Sequence, residues 1–140
     1  MVGVSPMRSV HVSQVVHRTV QEVYGVASDP DHLPRWAAGL ARSEVTREGD
    51  ALLVESPMGR VTVRFVPRNE HGVLDHDVTL PTGETVANPV RVLAHPQGAE
   101  VLFTVRQLDL SDDELARDAA TVAADLERLR DLVESLTPPV

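Results

Sequence analysis

Cysteine, lysine and isoleucine are all missing from this 140-residue chain. Without cysteine there are no disulfides, no thiolate nucleophile and no cysteine-ligated zinc. Without lysine, all 13 basic residues are arginine, and Schiff-base chemistry on a lysine is excluded, a lysine-bound pyridoxal phosphate included. The missing isoleucine reads as coding bias and carries no physical meaning. Aromatic residues are scarce, with two Phe, one Tyr and one Trp, so bulky core fillers are few. No apolar run approaches the ~20 residues of a membrane span. Met1 to Met7, broken by Gly3 and Pro6, is too short for a signal peptide. Positive charge is the lesser sign, and the net charge of −8 repels phosphate backbones. Nucleic acid is therefore not an expected partner, and a cytoplasmic location is the default expectation. Serine-hydrolase, zinc-protease, P-loop and dinucleotide fingerprints are also missing, so no cofactor is expected.

What is present is organised around the last helix. Ser111 precedes Glu114 by three residues, the spacing of a capping box. Asp112, Asp113 and Glu114 then put negative charge on the positive end of the helix dipole. Leu115, Ala119, Val122, Leu126, Leu129, Val133 and Leu136 alternate steps of four and three, which places them on one stripe. Arg117, Asp118, Asp125, Arg128, Arg130, Asp131 and Glu134 fall outside it and read as a solvated face. Pro138 and Pro139 stop the helix.

Residues 1–7 read as a flexible tail and 8–136 as one domain. Arg8 to His17 alternates as a first strand. Thr19 caps a short helix from Val20 to about Ala27. Asp29-Pro30 starts a second, reaching about Ala38 and ended by Gly39. From Leu40 to Leu110 the period changes to two, in six runs: 40–47, 51–56, 60–66, 73–80, 84–94 and 99–108. The links are short, so neighbouring strands pair as antiparallel hairpins. The expected fold is α+β, a seven-stranded antiparallel sheet wrapped around the long C-terminal helix, with two short helices after the first strand.

Val16, Val20, Val23, Tyr24 and Val26, followed by Ser28-Asp29-Pro30 and Trp36, carry a familiar signature. With the hairpin meander and the closing helix, the chain resembles the START-like superfamily of helix-grip proteins, of polyketide cyclase/dehydrase and lipid-transport type. The stretches Gly72 to Pro81 and Asn88 to Val92 look like a bacterial subgroup of that superfamily. The resemblance implies a sheet gripping the last helix over an apolar cavity. It does not choose among cyclases, dehydratases, lipid binders and co-chaperones.

Strand phase selects the candidate site residues. Leu74, His76, Val78 and Leu80 share a face, as do Val86, Asn88, Val90 and Val92. Val101, Phe103, Val105 and Gln107 share another, and Val10, Val12, Gln14 and Val16 a fourth. Each apolar face thus carries one polar residue, the composition of a ligand pocket. Gln14, Trp36, His76, Asn88, Phe103 and Gln107 are the candidate ligand contacts. His76 is the one candidate for acid–base chemistry. Asn88 precedes Pro89, which also fits a bulge or sheet edge, and Trp36 also fits plain packing. Alanines 116, 119, 120, 123 and 124 either let backbones approach or leave a void. Strand alternation separates Asp75 and Asp77 from His76, so no metal site is expected. The function expected is binding of a small hydrophobic molecule. The alternatives are a cyclase or dehydratase and a protein-interaction module, with homodimerisation through a sheet edge left open.

Overall fold

The computed structural model describes residues 6–37 and 45–138. Most of the expected tail, the Gly39 helix stop, the start of the 40–47 strand and Pro139 lie outside the described residues. In chain order the elements are β1 (Ser9–Val16), α1 (Val20–Ala27), a 3₁₀ turn (Pro30–His32), α2 (Leu33–Trp36), β2 (Val45–Glu48) and β3 (Ala51–Ser56). Then follow β4 (Gly59–Phe65), β5 (His76–Thr79), β6 (Thr85–Asn88), β7 (Val90–His95), β8 (Gly98–Arg106) and α3 (Asp112–Leu136). None of the described helices is long and apolar enough to cross a membrane.

The caps act as their residue types require. Ser111 Oγ accepts the Glu114 N–H at 3.1 Å, and Glu114 Oε1 accepts the Ser111 N–H at 3.0 Å. Thr19 and Glu22 do the same for α1. Asp29 accepts the Asp31 N–H at 3.0 Å at the head of the 3₁₀ turn. The second short helix is a 3₁₀ turn followed by one α-helical turn, with Pro34 in the first turn of α2, where its missing N–H leaves no helical bond unmade. At the far end of α3, Leu136 is 47% exposed. The last carbonyls there are taken by Arg18, whose Nη2 donates to Glu134 O at 2.9 Å and whose Nε donates to Thr137 Oγ1 at 2.9 Å.

The strands are antiparallel but form two sheets, β1-β8-β7 and β2-β3-β4-β5-β6. This corrects the expectation of seven strands in one sheet. The expected strand 84–94 breaks at Pro89 into β6 and β7, because proline has no N–H for a ladder. The carbonyl of Pro89 still accepts the Thr104 N–H at 3.0 Å. The next N–H, that of Val90, leaves the ladder and donates to Asp75 Oδ1 at 2.8 Å, and Arg91 closes an ion pair on the same oxygen. Across this break the sheets stay joined by Leu74 N–H to Val90 O at 2.9 Å and Val92 N–H to Gly72 O at 2.8 Å. The β7–β8 turn needs glycine at 98: φ is +137°, and a Cβ there would stand 2.6 Å from the Arg18 carbonyl oxygen and 2.7 Å from that of Val16.

Helix α3 lies along β1 and β8 and against α2. Leu126, Leu129 and Val133 pack there with Val16, Val101 and Ala99, each at most 1% exposed. Burial of such a side chain stabilises the fold by roughly 1.5–3 kcal/mol. The helix therefore belongs to the smaller sheet, and the larger one faces it across a gap.

Candidate functional site

The gap is a chamber of about 390 Å³. Strands β4 to β6 supply Phe65, His76, Val78, Leu80, Val86 and Asn88; β8 supplies Phe103 and Val105; and α2 supplies Leu33 and Trp36. Helix α3 contributes Asp118, Thr121, Val122, Asp125 and Leu126, the three- and four-residue spacing of one helix face. Met58 and Leu108, both exposed, stand at its edge. Leu108 has φ +49°, the one positive value for a non-glycine among the described residues, an uncommon conformation for a side chain of its size.

His76 is the best-defined polar group of the interior. It is 8% exposed. Its Nδ1 lies 3.0 Å from the Leu74 carbonyl oxygen, which can only accept, so Nδ1 carries the proton. Nε2 is left with its lone pair, and Asn88 Nδ2 donates toward it from 3.4 Å. Burial pushes the imidazole pKa below its ordinary value, outweighing the Leu74 carbonyl and the charges of Asp75 and Asp77. The Phe65 ring is tilted against it at 4.8 Å between centroids, and Phe103 meets it edge-on at 6.1 Å. On the other side of His76 and Asn88 is an outer recess of about 350 Å³, lined also by Arg64, Asp75, Asp77 and Pro89. The two side chains form a partition.

Of the residues singled out by strand phase, His76, Asn88 and Phe103 come together in the chamber, and Trp36 joins them from α2. Gln14 and Gln107 are not among the residues lining it. The Gln14 amide donates to its neighbour's carbonyl, Val15 O, at 3.0 Å. Gln107 accepts the Arg8 N–H at 3.3 Å and donates to Asp112 Oδ1 at 2.9 Å, tying the chain's start to the head of α3. That bond, with Arg8 beside it, holds the Asp112 carboxyl below the usual range. None of the five α3 alanines lines the chamber, so the space does not arise from them.

Sequence reasoning placed Asp118 and Asp125 on a solvated face; Asp118 is exposed there while also bordering the chamber, whereas Asp125 is buried in its wall. They sit at the border of the apolar stripe, and α3 overhangs the smaller sheet so that this border meets the gap. Asp125 is 8% exposed and ion-paired with Arg128. The signal was the i, i+3 spacing of Asp118 to Thr121 and Val122 to Asp125, which keeps all four on neighbouring rows. Trp36 is 8% exposed, and its indole N–H has no acceptor among the described residues. Asp75 is committed to Val90 and Arg91, and Asp77 is exposed, so neither converges on His76 as a ligand set. Chemically, the arrangement is a largely apolar room with a fixed, neutral acceptor at His76 and a border of acidic side chains where α3 faces it.

A family model for polyketide cyclase / dehydrase and lipid transport proteins matches residues 7–134. No curated protein matches the sequence. Among solved structures, protein CV1439 from Chromobacterium violaceum is 14% identical, with a TM-score of 0.66 over 90% of this chain and 97% of that one. Ara h 8.0201 is 14% identical, with a TM-score of 0.69 over 93% and 99%. DynU16, of the dynemicin biosynthetic locus, is 16% identical, with a TM-score of 0.73 over 95% of this chain and 49% of that one. At such identities the likeness is one of fold.

Proposed function

The chain belongs to the polyketide cyclase / dehydrase and lipid transport family, and from that premise we propose that it binds a small, largely apolar organic molecule between α3 and strands β4 to β6. The observation that carries this reading is the chamber of about 390 Å³ with apolar walls and one oriented polar pair, His76 and Asn88. Such a composition supports binding by burial of apolar surface, with His76 Nε2 and the Asn88 amide setting orientation. Trp36 and Phe103 supply aromatic wall.

A second reading has one observation in its favour. His76 is buried, neutral and fixed with its Nε2 lone pair free of a strong donor. A neutral imidazole beside a shaped apolar pocket suits a general base for ring closure or dehydration of a carbonyl compound. One experiment addresses both readings. Thermal denaturation of the purified chain is followed against panels of hydroxylated aromatics, fatty alcohols and sterols, and hits are incubated to look for product. A ligand at a hundred times its Kd adds about 2.7 kcal/mol, which raises Tm by about 5 °C or more. If no class stabilises the chain, the binding reading fails. A hit whose turnover disappears in His76→Gln while its stabilisation persists identifies the protein as an enzyme.

A further inference from the structure

Charge on the chamber wall is lopsided. Asp118 and Asp125 stand two turns apart on the same face of α3, and Glu84 and Asp109 line the rim. Arg106 is the one basic residue lining the chamber among the described residues, and its Nη1 donates to Ser9 Oγ at 2.9 Å. Asp125 has Arg128 as counter-ion. Asp118 has neither hydrogen bond nor ion pair among the described residues, and partial burial alone raises its carboxyl above the ordinary range. His76 contributes no positive charge, being held neutral with a lone pair available. On the α2 side the Trp36 N–H, in a side chain more than nine-tenths buried, has no acceptor among the described residues. Most of the charged groups along the wall are therefore carboxylates, with Asp118 exposed where α3 borders the chamber.

We propose that the chamber receives a hydrophobic amine, its apolar body between Phe65, Phe103 and Val122 and its ammonium group at Asp118, and that it turns away fatty carboxylates. This rests on the chamber being a ligand site. An ammonium group at Asp118 makes charge-assisted hydrogen bonds where the carboxylate has no other partner among the described residues. A ligand carboxylate at the same place meets like charge, and because Asp118 is exposed this repulsion is strongest at low salt. A hydroxyl on the apolar body finds an acceptor in His76.

The test compares three probes with one ring system: naphthylmethylamine, naphthylmethanol and naphthoic acid. Each is titrated calorimetrically into the full chain and into Asp118→Asn at neutral pH and low salt. The amine is expected to bind the wild-type chain about tenfold or more tighter than the acid. In Asp118→Asn the amine is expected to fall to within about threefold of the alcohol, while binding of the uncharged alcohol reports a folded chamber. An acid that binds as tightly as the amine, or an amine preference that survives Asp118→Asn, overturns the proposal and leaves the chamber standing. Failure of all three probes to bind overturns the proposal together with the chamber reading beneath it.

Discussion

His76 shows what a single residue's surroundings decide. Its period-two partners Leu74, Val78 and Leu80 were enough to place it inside, since strand side chains alternate faces. The sequence does not carry its tautomer, which depends on the Leu74 carbonyl at 3.0 Å. Burial holds the folded imidazole pKa below its ordinary value of 6.5. Above that value both the folded and unfolded states hold the ring neutral, and the contribution to stability is complete. As pH falls below 6.5 the unfolded chain takes up a proton first, so stability declines until the folded pKa is reached. Urea unfolding at pH 7, 6 and 5 should show wild-type stability declining more steeply with falling pH than that of His76→Gln. Equal slopes would mean that the ring is not held neutral by burial. The burial of Asp125 escaped the sequence reading for a related reason. A charged residue at the edge of a stripe reads as solvated unless the packing of its neighbours is known.

At the scale of elements, the helices were legible and their completion was not. The Ser111–Glu114 and Thr19–Glu22 boxes are local patterns, so sequence spacing alone located both helix starts. The end of α3 is closed by Arg18, more than a hundred residues earlier, and no local pattern announces it. Arg18 is 9% exposed and spends its Nη1 on His17 O at 2.7 Å while Nε and Nη2 hold the helix end. Arg18→Ala should lower unfolding free energy by about 1–2 kcal/mol, because half-buried acceptors at the helix end lose charged donors. Denaturant titration measures this, and a loss below about 0.5 kcal/mol would make the contact incidental. The 84–94 run was read as one strand because its alternation continues across Pro89. The break needs Asp75 as a substitute acceptor for Val90, a partner fourteen residues away from the proline.

For the molecule as a whole, the order of hairpins and the closing helix followed from turn signals and periodicity. How the strands divide between two sheets did not, nor did the position of the space. Both depend on the angle between layers, which side-chain alternation leaves free. With only two Phe, one Tyr and one Trp, few side chains are long enough to bridge the gap from the larger sheet to α3. Val122→Phe puts a ring into that gap from the helix side. Because the space is unfilled, overpacking strain is small, and Tm is expected to hold or rise by a few degrees. The stabilisation by ligand in the thermal screen should disappear in the same variant. A clear fall in Tm would show the region to be already full.

The break at Pro89 has a mechanical consequence. One sheet carries the helix and the other carries most of the wall facing it, and they meet along a crease pinned by a few backbone bonds and the Asp75 carboxylate. Side chains from both sheets share one buried cluster, so any change in the angle at that crease would alter the chamber only together with the core beneath it. If the proposed ligand binds there, the fold line at Pro89 and the acidic border of α3 would act on the same space, one through its dimensions and the other through its charge.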